Sequence, residues 1–122
     1  MDEATRKEIV SRLATAFGQA QDATPADDQP LHVLLPALEL PEPWTPSPTR
    51  GLSIWRNWPT ERPEFVIDES VAGEGGGAPR SHHSVYLLGE AWRGYSFSFP
   101  WEGDDPVLMI QLWMNRFLIE RS

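Results

Sequence analysis

The stretch from Gly51 to Ile67 constrains the fold more than any other part of the chain. It reads Gly-Leu-Ser-Ile-Trp-Arg-Asn-Trp-Pro-Thr-Glu-Arg-Pro-Glu-Phe-Val-Ile: Leu52 and Ile54 alternate with Ser53, and Phe65 to Ile67 form a second apolar run. Two short strands therefore flank a segment holding Pro59 and Pro63. Proline has no N–H donor and drives the residue before it into extended conformations. Trp58-Pro59 and Arg62-Pro63 thus predict an ordered, extended crossing between antiparallel strands, not a tight hairpin.

Before this stretch, residues 2–20 read as an amphipathic helix, with Ile9, Val10, Leu13, Ala16, Phe17 and Ala20 on one face and Asp2 and Glu3 at the positive end of its dipole. Asp22 to Pro30 has no apolar pattern and two prolines, which predicts an exposed linker. Leu31 to Leu35 reads as a short strand. Residues 36–50 hold five prolines around Trp44. A polyproline ligand is one reading, but Leu38, Leu40 and Trp44 favour a connection packed over the sheet.

After Ile67 the pattern dissolves into a glycine-rich loop spanning 68 to 83, which contains Arg80, His82 and His83. Order returns at Ser84 to Leu88, followed by Gly89 to Gly94 around Trp92. Tyr95, Phe97 and Phe99 then alternate with Ser96 and Ser98, as expected of a strand with one buried face. The last element is the clearest: Asp105 is a natural N-cap, Pro106 a natural first helical residue, and Val107 to Ile119 is polar only at Gln111, Asn115 and Arg116. Such a helix must bury most of its surface, against its own sheet or against a second copy in a homodimer. The expected architecture is a single α+β domain over 1–122, with helix 2–20, linker 22–30 and core 31–120. In it an antiparallel meander of about four strands packs on the N-terminal and C-terminal helices.

Composition narrows the chemistry. Among 122 residues there is no cysteine, so disulfides, thiolate metal sites and thiol nucleophiles are excluded. The formal charge of -8 opposes the counterion release on which nucleic-acid binding depends, and an anionic membrane would be repelled in the same way. No long apolar run and no secretory apolar core is present, so a cytoplasmic protein is expected. His82 and His83 lie on opposite faces of an extended chain and lack the spacing of a metal site; no metal or other cofactor is expected. Gly73 and Gly75 to Gly77 lack the Gly-Lys-Ser/Thr ending of a phosphate loop, and the serines near the histidines lack a Gly-x-Ser-x-Gly turn. No catalytic residue is assigned. Among six tryptophans, Trp113 suits the helix core, whereas Trp55 is out of phase with Leu52 and Ile54, and Trp58 borders the crossing. Trp55 and Trp58 are therefore candidate exposed interface anchors, with Pro59, Pro63 and Trp92 beside them.

Taken in order, helix, strand, proline-rich connection, strand, Trp-Pro-x-x-x-Pro-x-Phe, strand, long loop, Trp-centred segment and capped helix, the chain resembles the ubiquitin-conjugating-enzyme fold and its inert relatives, including RWD domains. In that family a Tyr-Pro followed by a further proline sits after the third strand. Trp58-Pro59 and Pro63-Glu64-Phe65 match that place. Leu88-Gly89-Glu90-Ala91-Trp92-Arg93-Gly94-Tyr95-Ser96 and Trp101-Glu102-Gly103-Asp104-Asp105 look like motifs of divergent bacterial members. Those members accompany ubiquitin-like proteins, activating enzymes and deubiquitinase-like peptidases.

Family enzymes carry a thioester on a cysteine in the region of Arg80 to Tyr95, where this chain has none. The resemblance thus implies a non-catalytic adaptor that binds a ubiquitin-like protein or its activating enzyme, with antiphage defence as a setting. His82 and His83 correspond only loosely to the family's active-site histidine. Two alternatives stand beside it: an acidic immunity or chaperone-like protein that neutralises a basic effector, and a conjugating enzyme whose cysteine has been replaced, at Ala78 or Ala91.

Overall fold

The computed structural model describes residues 1–73, Gly75, 82–95 and 103–115, with the backbone alone at His82 and Tyr95. It is α+β, with a helix at each end and an antiparallel sheet between them. The elements are α1 (Glu3–Phe17), β1 (Gln21–Asp22), β2 (Leu31–Leu38), β3 (Thr49–Trp55), β4 (Glu64–Asp68), β5 (His82–Leu87), β6 (Glu90–Tyr95) and α2 (Pro106–Met114). The sheet has six strands in the order β1-β2-β3-β4-β6-β5, not the four of the sequence expectation. Its first four strands follow a meander. The β5–β6 hairpin then inserts its second strand beside β4, leaving β5 at the edge.

Local chemistry sets most of these boundaries. Asp2 caps α1 by accepting the Thr5 N–H at 2.8 Å, and Gly18, at φ 87°, turns the chain out of the helix. The helix therefore ends at Phe17, short of the expected residue 20. Ile9 and Leu13 are its buried residues, while Ala16 is exposed. The expected linker is partly ordered. Gln21 and Asp22 pair with Leu34 and Val33, and Asp22 then accepts the Thr24 N–H at 3.0 Å in a local turn. β2 runs three residues beyond Leu35 because its register shifts between Leu35 and Leu38, which accommodates Pro36, a residue unable to donate to a regular ladder.

Leu38, Leu40 and Trp44 are buried, so the proline-rich connection does pack onto the core. β3 and β4 pair antiparallel with Ser53 opposite Phe65, and the crossing from 56 to 63 joins them. The segment around Trp92, expected to connect two strands, is itself strand β6. Leu88 (φ 54°) and Gly89 (φ 75°) close the hairpin that precedes it. The expected strand through Phe97 and Phe99 lies outside the described residues, as do most of the glycine loop and the chain beyond Asn115.

Both faces of the sheet carry buried side chains. On one side Leu31, Val33, Leu35, Trp55, Phe65 and Ile67 meet Ile9 and Leu13 of α1 and Met109, Ile110 and Trp113 of α2. The rings of Phe65 and Trp113 stand edge to face, with centroids 4.5 Å apart. On the other side Leu52, Val66 and Trp92 form a second buried cluster, flanked by Leu34 and Leu87. The helices lean on each other through Arg12, whose guanidinium meets Asp105 at 2.9 Å while Asp105 caps α2 by accepting the N–H groups of Val107 and Leu108. Gln111 and Asn115 face outward, as the expected polar stripe requires.

Candidate partner-binding site

The crossing between β3 and β4 turns its aromatic residues inward. Trp55, at the end of β3, is wholly buried; its indole N–H donates to the Ser53 hydroxyl at 2.8 Å. Ser53 is itself buried and donates to the Val33 carbonyl at 3.4 Å. Trp58 packs edge-on against Trp55, with centroids 5.0 Å apart and planes at 89°. The Asn57 carbonyl then accepts the N–H groups of Thr60 and Glu61 at 2.6 and 2.9 Å, so the segment folds into a turn over the rings and does not run extended as expected.

Burial corrects the expectation of exposed tryptophan anchors: Trp55 is 0% and Trp58 8% exposed, and Pro63 is buried as well. The alternation along β3 correctly separated Trp55 from Leu52 and Ile54. Both sets are nevertheless buried. What the crossing presents outward is polar: Arg56, Asn57, Thr60, Glu61 and Arg62 are exposed, along with Pro59. Arg56 pairs with Glu64 at 3.2 Å, an exposed ion pair of small energetic weight.

Beside the crossing lies a cleft of about 310 Å³, lined among others by Arg6 of α1, Asp27 and Asp28 of the connection before β2, and Trp55, Arg56 and Asn57. The connection is held in place from its two ends. Arg6 reaches the Gln29 carbonyl at 3.4 Å. His32, buried, has Nδ1 2.7 Å from the Pro30 carbonyl, which makes that nitrogen the protonated donor. Its backbone N–H donates to the Thr24 hydroxyl, which in turn donates to Asp22. Partial burial pushes the Asp22 carboxyl up, but the Thr24 hydroxyl and N–H outweigh it and hold the group below the usual carboxylate value. The cleft carries both signs of charge on a fixed frame. That suits a polar protein surface, whereas a drug-like apolar ligand needs a mostly apolar enclosure.

Trp92 lies on the opposite face of the sheet and is likewise wholly buried, which corrects the expectation that it contacts a partner. Its indole N–H donates to the Leu87 carbonyl at 3.0 Å, and the guanidinium of Arg50 lies 4.3 Å above its ring. Arg50 Nε meets Asp68 at 2.6 Å and a terminal nitrogen meets Glu90. The hydrogen bond to Asp68 and then that to Glu90 raise the Arg50 pKa. Asp68 is pushed up by partial burial, yet the Ser70 hydroxyl and N–H, followed by Arg50, hold it below the ordinary carboxylate value. This latch over Trp92 was missed from sequence. Its members are 18 and 40 residues apart, and only a charged Arg50 at the head of an apolar strand hinted at it.

The remaining candidates are scattered. His82 and His83 belong to β5, opposite Tyr95 and Gly94, and not to the loop in which the sequence reading put them. His83 and Ser84 are adjacent on a strand and so point to opposite faces, which separates the serine from the histidine. Ala91 sits in β6 opposite Tyr86. Arg80, Ala78 and Ser81 lie outside the described residues. Among the described residues no three His, Asp or Glu side chains converge as metal ligands would, and no helix is long and apolar enough to cross a membrane. No protein-family model, curated protein or solved structure matches this chain.

Proposed function

We propose that this chain is a non-catalytic, ubiquitin-conjugating-enzyme-like adaptor in a bacterial ubiquitin-like pathway, with antiphage defence as its setting. It holds a ubiquitin-like protein or its activating enzyme at the cleft between the 23–30 connection and the proline crossing. The observation that carries this reading is the crossing itself. It follows the third strand, where the resemblance puts the family's Tyr-Pro segment, and it is stiffened from below by Trp55 and Trp58 while its outer side stays polar. A rigid polar rim over a packed aromatic base costs little conformational entropy on binding. The lack of cysteine leaves binding as the role of such a fold.

The net charge of -8 favours a second reading, an acidic immunity or chaperone-like protein that captures a basic effector through complementary fields. One experiment separates the two. The tagged chain is captured from its native host beside a variant with Asp27→Lys and Asp28→Lys, both exposed positions, and co-purifying proteins are identified by mass spectrometry. A ubiquitin-like protein or activating enzyme recovered with the native chain and lost with the variant supports the adaptor. A basic toxin in its place, or neither, rejects it.

A further inference from the structure

The two edges of the sheet are built differently. At one end β1 is two residues long and bears the carboxylate of Asp22, features that blunt an edge against further pairing. At the other end β5 runs for six residues, His82-His83-Ser84-Val85-Tyr86-Leu87, with no Lys, Arg, Asp, Glu or Pro and no shift of register against β6. Among the described residues nothing pairs with its outer edge. His83 and Ser84 are exposed, and Tyr86 is 73% exposed, far more than any other large apolar or aromatic side chain described.

The hairpin turn determines which backbone groups this edge offers. Leu88 and Gly89, both at positive φ, form a two-residue loop closed by the pair Leu87 and Glu90. A pair closing such a loop exchanges its N–H and C=O groups, and bonded pairs then alternate along the ladder. Leu87, Val85 and His83 therefore bond inward to β6, while the N–H and C=O groups of Tyr86, Ser84 and His82 point away from the sheet.

We propose that β5 is a dimerisation edge: a second copy of this chain adds its own β5 antiparallel, with the two-fold axis at Ser84. Ser84 then opposes its counterpart and Tyr86 opposes the other copy's position 82. About six outward backbone groups on each strand are satisfied in one continuous sheet. The charges decide for a second copy. Among the described residues β5 itself offers a basic strand no carboxylate, and Glu90 and Asp68 on the neighbouring strands already hold Arg50. An acidic strand would set its carboxylates directly at the seam of a chain of net charge -8, whereas β5 carries no charged side chain, so the charges of two copies stay away from the seam. A copy of β5 brings an uncharged strand against an uncharged strand and covers the exposed ring of Tyr86.

Sedimentation velocity on the full chain over the micromolar range tests this directly. The expected result is a monomer–dimer equilibrium that shifts toward dimer as salt rises, because two copies each carrying -8 repel at low ionic strength. Ser84→Pro removes an outward N–H without touching a bond to β6, so it should sediment as monomer with an unchanged circular dichroism spectrum. Ser84→Cys gives a second readout that survives if the proline variant fails to fold. The chain has no cysteine, so any disulfide is intermolecular. On the axis the two Cα atoms lie about 5.5 Å apart, within disulfide reach. Val85→Cys, offset by a diagonal of roughly 8 Å, should stay reduced. A native chain that remains monomeric at all concentrations, a dimer that Ser84→Pro leaves intact or that weakens as salt rises, or equal crosslinking at 84 and 85 would each overturn the proposal.

Discussion

Replacing Trp58 with alanine tests whether the aromatic base of the crossing is core or surface. Trp58 is 8% exposed, so nearly all of its side chain, about 200 Å², leaves water on folding. At about 25 cal/mol per Å² that burial is worth ~5 kcal/mol as an upper figure. Truncation of buried Trp or Phe to alanine costs about 3–5 kcal/mol, and losing the edge-on contact with Trp55 removes about 0.5–1.5 kcal/mol of that total. A loss near 4 kcal/mol is expected. For a chain of this length it lowers the melting temperature by roughly 15 °C.

The assay is thermal and urea unfolding followed by far-UV circular dichroism, since five other tryptophans obscure the fluorescence of one. Trp58→Phe keeps a ring against Trp55 and should recover about half of the loss. An alanine variant within about 1 kcal/mol of the native chain that nevertheless loses its partner would refute the reasoning, because it would make Trp58 an exposed anchor after all.

Three further outcomes follow from named contacts. Asp105→Ala should cost about 1–2 kcal/mol, since it removes the α2 cap and a half-exposed pair with Arg12; Asp105→Asn, which can still cap, should recover most of it in urea titrations. Gly51→Ala should destabilise by about 1–2 kcal/mol in the same assay, because a Cβ there would sit 2.9 Å from the Phe65 ring and 3.2 Å from Leu38. Asp68 has a folded pKa below its ordinary 3.8, so its stabilising contribution is present above that value and is lost as pH falls through the folded one. Asp68→Asn should accordingly start less stable at neutral pH and decline less steeply below about pH 4 in urea midpoints taken across that range; an equal slope in both proteins would contradict the assignment.

The elements legible in the sequence are those whose cause is local. Asp105 and Pro106 announce α2 because a cap and a proline act within one turn, and the break between β3 and β4 is legible because Pro59 and Pro63 cannot continue a ladder, although the turn at Asn57 that replaces the expected extended course is not. The packed proline-rich connection was visible in Leu38, Leu40 and Trp44. β6 was not, because its only local announcement is the Leu88-Gly89 turn, and a non-glycine residue at positive φ is rarely expected. β1 was missed because two residues have no period to read.

For the candidate site, alternation along β3 assigned Trp55 and Leu52 to opposite faces but could not say whether each would be buried. Both are, one in the core with α1 and α2 and one within the cluster around Trp92. Sequence alone thus determined the α+β class, the capped C-terminal helix, the break between β3 and β4 and the absence of a thiol. Tertiary structure decided that Trp55 and Trp58 are base and not contact surface, that Arg50, Asp68 and Glu90 meet over Trp92, and that β5 is the edge strand among the described residues. Those outcomes depend on which distant strands become neighbours, and strand order is a balance of packing over the whole sheet that no local window of residues contains.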